Sequence, residues 1–181
     1  KKLNMKKKSL SAKKKIHKKL LINLRNPLIS KIYKNFDNFI KLNLYKYNFA
    51  VAISGGPDSL ALAYFSKCYS ILNNVKVDFY HVDHKLRKES SKEAKKLNFL
   101  LKEFDINCKI LKWSGMKPRS NIQSLARNAR YRLLYKQCLK DKNSYIFIAH
   151  HLDDLYENFV LRLLRGSGLK GLVSFNELKT N

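Results

Sequence analysis

The sequence predicts an α/β fold in which a parallel β-sheet is flanked by helices on both faces. Two observations predict this fold class. From about residue 31, short segments rich in β-branched and aromatic residues alternate with longer segments whose apolar residues recur every three or four positions. The alternation is strict, and parallel strands need such crossover helices between them. We therefore expect a Rossmann-like sheet, whose ligands bind at the carboxyl ends of the strands.

The first predicted elements are a helix, a buried strand and a second helix. They are KIYKNFDNFIKLNL at residues 31–44, NFAVAIS at 48–54 and DSLALAYFSKCYSIL at 58–72. The first helix has its apolar residues at amphipathic spacing, namely Ile32, Tyr33, Phe36, Phe39 and Ile40. The second helix is preceded by proline and begins with aspartate and serine, residue types suited to a first turn.

The same alternation continues towards the end of the chain. Further strands are predicted at VKVDFYHVD (75–83), NCKILKW (107–113) and SYIFIAH (144–150), and further helices at KESSKEAKKLNFLLKEF (88–104), NIQSLARNARYRLLYKQCLK (121–140) and LDDLYENFVLRLL (152–164). The regular pattern predicts one domain over residues 31–181.

Residues 1–30 form a separate basic segment in this prediction. No acidic residue occurs from Lys1 to Phe36, and NMKKKSLSAKKKIHKK is a low-complexity run of lysines. We expect the segment to be disordered or to act as an arm that touches RNA. A targeting segment is the second interpretation, although such peptides favour arginine over lysine.

Composition limits the class of protein. The 38 Lys and Arg against 13 Asp and Glu give a net charge of +25, which favours a polyanionic partner such as nucleic acid, although AT-rich coding DNA would also enrich lysine. The three cysteines are far apart, so neither a disulfide framework nor a zinc site is supported, and a reducing cytoplasm is expected. No apolar run approaches the length of a membrane span, so no membrane partner is expected.

The stretch SGGPDS lies where the first predicted strand ends and a helix begins. Gly55 and Gly56 allow a sharp turn that brings backbone N–H groups close to a ligand, and helix N-termini attract anions. Ser54 and Ser59 can donate hydroxyl hydrogen bonds to phosphate, while Asp58 is suited to holding Mg²⁺ beside it. The alternative is an ordinary glycine-rich turn, and the lysine of a Walker-type loop is absent.

Three further stretches supply candidate site residues. After the second strand, residues 81–87 should line the nucleotide pocket. Asp154 and Glu157 lie three residues apart on a predicted helix, so both carboxylates face one way and could hold an ammonium group or, for Asp154, a metal; the alternative is a solvated acidic helix start. The glycines of RLLRGSGLKGL either end a helix or let the backbone approach a substrate. The candidates from the first and third stretches are His84, Arg87, Arg165, Gly166, Ser167 and Gly168.

Five stretches together resemble a known family. SGGPDS is similar to the PP-loop of the ATP pyrophosphatases, and HVDHKLR, NIQSLARNARYRLL, AHHLDDLYEN and RLLRGSGLKGL resemble, in order and spacing, the signatures of the tRNA(Ile)-lysidine synthetases. The resemblance covers residues 32 to 175 approximately. Asp83 and Lys85 stand where Asn and Gly are commoner in the family, and Leu155 and Asn158 where Gln and Thr are usual. The family normally continues into a C-terminal tRNA-binding region, so we expect part of its architecture to be absent.

The resemblance implies a fold of the PP-loop adenine nucleotide alpha hydrolase type and a carbon–nitrogen ligase. It implies that ATP adenylates the wobble cytidine of an isoleucine tRNA with a CAU anticodon, that pyrophosphate leaves, and that free L-lysine displaces AMP. The implied phosphate cradle is Ser54, Gly55, Gly56, Pro57, Asp58 and Ser59, with Asp58 and Asp154 as Mg²⁺ ligands. Glu157 would bind lysine and Arg127 would steady developing negative charge, because guanidinium groups pair with phosphate.

Other functions stay open on the sequence. A PP-loop tRNA thiolase would need cysteines placed for sulfur transfer, and the cysteines here form no C-x-x-C pair. A PP-loop amide synthetase would act without RNA, which the basic charge opposes. A non-catalytic nucleotide- and RNA-binding module is the alternative from a different class. The sequence leaves the oligomeric state undecided, with a homodimer among the options.

Overall fold

The computed structural model describes residues 2–44, 47–85, 89–113 and 122–149, with side chains from residue 11 onward except at residues 122–124. The chain divides into two compact units, Lys1–Ile148 and Ala149–Asn181, and nearly all described residues belong to the first. The helices are α1 Lys2–Asn23, α2 Pro27–Asn43, α3 Pro57–Asn73, α4 Ser90–Glu103 and α5 Ile122–Asp141. The strands are β1 Phe49–Ala52, β2 Val77–Asp83, β3 Cys108–Lys112 and β4 Tyr145–Ile148.

The described strands form one parallel sheet in the order β3-β2-β1-β4. The chain moves outward from β1 through β2 to β3 and then crosses back to the other side of β1. The point where this direction reverses, between β1 and β4, is the place where doubly wound sheets bind ligands. The predicted fold class is therefore confirmed, and the register Ala52↔Ile148 brings the carboxyl ends of β1 and β4 side by side.

Alternation along β1 divides the core into two layers. Phe49 and Val51 point into the layer that contains residues of α1 to α4, whereas Ala50 and Ala52 point into the layer that contains residues of α5. All four residues are buried, as expected of a central strand with helices on both faces. The sheet can therefore hold its carboxyl edge rigidly beneath a ligand.

Of the two expectations for residues 1–30, disorder or an arm that touches RNA, the structure differs from the first. Helix α1 occupies most of that segment, and Leu20 is only 2% exposed. Ile16, Leu20 and Leu24 recur every four residues and pack against the core, while the hydroxyl of Tyr64 donates a 2.8 Å hydrogen bond to the Leu20 carbonyl. Burial of this apolar stripe stabilises the helix, although 9 of its 22 residues are lysines.

One carboxylate also fastens α1 to the rest of the unit. Asp105, just beyond α4, lies 2.8 Å from His17 Nε2 and accepts a 2.9 Å hydrogen bond from Lys67 Nζ, which also donates to the Asp105 carbonyl at 2.7 Å. Burial favours the protonated form of Asp105, but its hydrogen bonds with Lys67 and His17 outweigh that effect and lower the pKa of the carboxyl. Three helices therefore share a single charged anchor.

The boundaries of the other predicted elements agree closely with the structure, with one early start. Helix α2 begins at Pro27, because the side chain of Asn26 caps it by accepting a 3.0 Å hydrogen bond from the Leu28 N–H. Ile32, predicted to lie on the apolar face of this helix, is instead 55% exposed. The predicted helix at 152–164 lies outside the described residues. Within the described part of the chain, no helix is both long and apolar enough to span a bilayer.

Candidate functional site

The candidate site is built on the turn between β1 and α3. Beyond the last residue of β1, the N–H of Ile53 still donates a 2.8 Å hydrogen bond to the Tyr80 carbonyl of β2, and the chain then turns sharply. Gly55 has φ +100°, a conformation that side-chain-bearing residues rarely adopt. Gly56 is extended and directly precedes the first turn of α3. The turn therefore lies at the carboxyl edge of the sheet, where the sequence predicted it.

The hydroxyl of Ser59 organises this turn from within. Its oxygen accepts hydrogen bonds from the backbone N–H groups of Ser54 and Gly55, both at 3.2 Å, and from the Ser54 hydroxyl at 3.0 Å. Its own proton is donated to the Gly56 carbonyl at 2.9 Å. Ser59 is only 3% exposed, whereas Ser54 and Gly55 are exposed. In this arrangement Ser59 braces the loop, and direct contact between its hydroxyl and phosphate stays a prediction.

The start of α3 offers backbone donors to an anion. No side chain caps the helix at Gly56, and Pro57 occupies the first turn without an N–H of its own. The N–H groups of Asp58 and Ser59 also belong to this turn, which has no partners within its own helix. Together with the positive end of the helix dipole, this arrangement suits a phosphate group.

Asp58 projects from the same first turn and is exposed. It forms no ion pair or hydrogen bond with any residue in the described ranges, although the chain carries 38 cationic side chains. A carboxylate oxygen beside a turn that suits phosphate is the kind of hard oxygen donor that Mg²⁺ prefers. Asp154, the second predicted ligand, lies outside the described residues.

The carboxyl end of β2 supports the turn from its neighbouring strand. His81 Nδ1 lies 2.8 Å from the carbonyl oxygen of Ile53, and because a carbonyl can only accept, Nδ1 carries the proton. Asp83 is buried and accepts from the Ser91 hydroxyl at 2.7 Å and the Lys85 N–H at 2.9 Å. Burial tends to raise the pKa of Asp83, but these hydrogen bonds hold it below its usual value. These contacts fix the segment that the sequence assigned to the nucleotide pocket.

His84 is linked to helix α5 by an arginine. Arg130 Nε donates a 3.3 Å hydrogen bond to His84 Nε2, which must therefore be unprotonated. Burial, followed by the positive charge of Arg130, lowers the pKa of His84. Its other ring nitrogen, Nδ1, is buried without a hydrogen-bond partner among the described residues. His84 is thus a neutral imidazole held between β2 and α5.

Sequence reasoning selected Arg127 from α5 as a phosphate contact and gave Arg130 a structural or backbone-contacting role, without predicting its contact with His84. Arg127 has its guanidinium carbon 5.6 Å from the ring centroid of Tyr131, and its predicted role towards phosphate stays a prediction. Arg130 is the residue that reaches the end of β2. Its spacing of three from Arg127 was the available signal, because residues three apart share a helix face.

Several predicted site residues lie outside the described residues. They are Arg87, Asp154, Glu157, Arg165, Gly166, Ser167 and Gly168. The described residues bring together Ser54, Gly55, Gly56, Pro57, Asp58 and Ser59 in one turn, as the sequence predicted. His84 lies at the end of the adjacent strand.

The three cysteines are buried on separate elements, Cys68 on α3, Cys108 on β3 and Cys138 on α5. Burial raises the pKa of Cys68 and Cys138 to about 11 and that of Cys108 to about 12, so all three are thiols at neutral pH. No group of three or more His, Cys, Asp or Glu side chains within the described ranges could hold a metal ion.

Three sequence relatives share one name. Each of them is named tRNA(Ile)-lysidine synthase. The protein from Bradyrhizobium diazoefficiens is 38% identical to this chain over 71% of its length. Those from Orientia tsutsugamushi and Wolbachia pipientis wMel are both 39% identical, over 70% and 78% of this chain respectively. The matched parts are 36%, 29% and 33% of those proteins, so the chain spans about a third of the length of these relatives. The resemblance predicted from the sequence is confirmed.

A solved structure and a family model complete the comparison. The U34-tRNA thiolase NcsA from Methanococcus maripaludis, solved with its [4Fe-4S] cluster, aligns with a TM-score of 0.62 over 77% of this chain and 53% of that one. At 18% identity, this likeness supports the fold alone. The family model described as the PP-loop domain matches residues 7–181. The chain therefore belongs to the PP-loop domain family.

Proposed function

We propose that the chain takes part in the ATP-dependent ligation of lysine to the wobble cytidine of an isoleucine tRNA with a CAU anticodon. One observation carries the proposal: the turn at Gly55 and Gly56 leaves the start of α3 without a side-chain cap, beside the carboxylate of Asp58, which has no partner among the described residues. Membership of the PP-loop family supports ATP as the nucleotide. The names of the relatives support the tRNA and the reaction.

The proposed first step uses the turn to hold the departing pyrophosphate. The exposed Ser54 and the first-turn N–H groups of α3 would donate hydrogen bonds to phosphate oxygens, while Ser59 keeps the turn in shape. The cytidine C2 carbonyl oxygen attacks the α-phosphorus, and the bond to pyrophosphate breaks. Mg²⁺, held by Asp58 and by the predicted ligand Asp154, would neutralise phosphate charge.

The proposed second step needs a neutral amine. The ε-amine of lysine has a pKa of about 10.4, so about one molecule in a few thousand is uncharged at pH 7. Glu157 would bind the ammonium form and Arg127 would steady negative charge near the adenylated base. Arg165, Gly166, Ser167 and Gly168 would approach the substrate, and Arg87 would join His84 at the nucleotide. AMP leaves when the nitrogen bonds to C2. A cytoplasmic location and a homodimeric state remain predictions.

The described cysteines count against the thiolase alternative. Sulfur transfer needs an accessible thiolate or a cluster. Cys68, Cys108 and Cys138 are buried thiols with raised pKa values and lie on three different elements. The ligase proposal uses none of them.

Product analysis tests the proposal. The protein in its full natural length is incubated with labelled lysine, ATP labelled at the α-phosphate and tRNA with a CAU anticodon. We expect AMP as the nucleotide product and labelled lysine in the tRNA, with both lost in Asp58→Ala and Glu157→Ala. Asp37→Ala is the matched control, because Asp37 pairs with Lys41 on the surface of α2. Formation of ADP instead of AMP would contradict the proposal, and ATP binding without any AMP would favour the non-catalytic module.

A further inference from the structure

Helix α1 has two faces of opposite character. Ile16, Leu20 and Leu24 form the inward stripe that packs on the core. The outward face carries four exposed lysines within an arc of about 140°, given 3.6 residues per turn. These are Lys14, Lys15, Lys18 and Lys19, the lysine stripe.

No residue in the described part of the chain neutralises the charge of the lysine stripe. None of its four members forms an ion pair with a residue in the described ranges, although the neighbouring Lys13 lies 3.7 Å from Asp105. Lys14 and Lys18 are four residues apart, as are Lys15 and Lys19, and each such like-charge pair costs a helix about 0.2–0.5 kcal/mol. A polyanion would relieve this repulsion.

The lysine stripe is a fixed surface, because three contacts hold the helix beneath it. His17 contacts Asp105, Leu20 is buried, and the Leu20 carbonyl accepts from Tyr64. Among the described side chains of α1, from residue 11 onward, Ile22 is the only large apolar one that is exposed, so this part of the helix has no second apolar face with which to enter a lipid surface. The geometry therefore favours a hydrated polyanion over a membrane.

We propose that the lysine stripe binds the phosphate backbone of the tRNA. This inference rests on the proposed function, which supplies the tRNA as the polyanion. Tyr64, the partner of Leu20, lies seven residues into α3, about 10 Å along that helix from the phosphate-binding turn. The stripe would therefore contact sugar–phosphate backbone away from the reacting base, which adds affinity without reading sequence.

Salt-dependent binding of labelled tRNA tests the inference. The stripe variant replaces Lys14, Lys15, Lys18 and Lys19 by Gln. The matched control replaces Lys92, Lys95, Lys96 and Lys102 by Gln on α4; these are four exposed lysines interleaved with Glu93 and Glu103, and the charge loss is the same. Four lost phosphate contacts should reduce the slope of log affinity against log salt by about 3 and weaken binding by at least about tenfold at low salt. The control should change the slope by less than about 1.

Further measurements separate the possible causes. Circular dichroism and ATP binding should be the same in both variants, and replacement of the stripe by four arginines should retain tRNA affinity. Equal loss in the stripe variant and the control, or no loss in either, would overturn the inference. Stripe-dependent binding to phosphatidylserine vesicles with unchanged tRNA binding would assign the surface to a membrane and also overturn it. Stripe-dependent tRNA binding without lysine incorporation would refute the proposed function and leave this inference standing.

Discussion

Gly55 is the residue on which the shape of the turn between β1 and α3 depends. At φ +100° an alanine would be strained, although its Cβ would meet only Leu97 Cδ2, at an ordinary 3.7 Å. We expect Gly55→Ala to lower the free energy of unfolding by about 1–2 kcal/mol, as measured by urea denaturation. Gly56→Ala is the control, because Gly56 has φ −76° and equal space. An equal or larger loss in the control would show that backbone strain is not the cause.

Ser59 gives a second prediction at this scale. Ser59→Ala removes the acceptor of three donors and the donor to the Gly56 carbonyl in a buried position. Leaving such groups unpaired costs about 1–3 kcal/mol, and thermal unfolding should show this loss. Ser54→Ala, at an exposed position, should cost less. If the two serine variants unfold at the same temperature, Ser59 does not brace the turn.

His84 makes the stability of the unit depend on pH. Its folded pKa lies below the unfolded value of about 6.5, so the unfolded chain binds the proton first. The stabilisation is therefore fully present above about pH 6.5 and is lost as the pH falls below it, because protonated His84 would be a buried charge and would also repel Arg130. The free energy of unfolding between neutral and mildly acidic pH should fall more in the wild type than in His84→Asn. If the free energy of unfolding falls equally with pH in the wild type and in His84→Asn, this histidine is not the cause.

These residue-scale contacts mark the limit of what the sequence could predict about the site. The motif placed two glycines, two serines and a carboxylate at one turn, and the structure confirms that arrangement. The direction of the Ser59 hydroxyl could not be predicted, since it depends on where the chain returns after the bend at Gly55. The contact between Arg130 and His84 joins residues 46 positions apart, so no local pattern encodes it.

At the scale of elements, α1 depends on its attachment through Asp105. Asp105→Asn removes the charge that pairs with Lys67 and His17 in a part-buried position, at a cost of about 1–3 kcal/mol. We expect faster amide hydrogen exchange in α1, while exchange in β1 changes less. Asp37→Asn should have almost no effect, because its partner Lys41 is a surface residue one turn away. Unchanged exchange in α1 of the Asp105 variant would contradict the anchoring role.

The elements also show why one prediction failed. From α2 to β4, the spacing of apolar residues and the positions of turn residues both agreed with the fold. The strands and helices in this part of the chain were therefore located correctly. Helix α1 was missed because its lysines dominate the composition, while Ile16, Leu20 and Leu24 carry the helical period beneath them. Asn26 and Pro27 are likewise a helix-start signal that moves the beginning of α2 ahead of the predicted residue 31.

For the whole molecule, ligand binding should appear as added stability. ATP at about 100 times its dissociation constant should stabilise the chain by about 2.7 kcal/mol through mass action. At equal concentration AMP should stabilise it much less, because the turn is proposed to hold the β- and γ-phosphates. Calorimetric melting with ATP, AMP and pyrophosphate measures the difference. If ATP and AMP raised the melting temperature equally, the turn would not hold the β- and γ-phosphates.

The anchor of α1 also constrains the order in which the chain can fold during synthesis. His17 and Asp105 are 88 residues apart, so α1 meets the carboxylate that anchors it only after α2 to α4 and strands β1 and β2 have left the ribosome. Until then Leu20 has no complete core to enter. A pause in translation before residue 105 would therefore prolong the exposure of an apolar, lysine-flanked helix to chaperones and to ribosomal RNA.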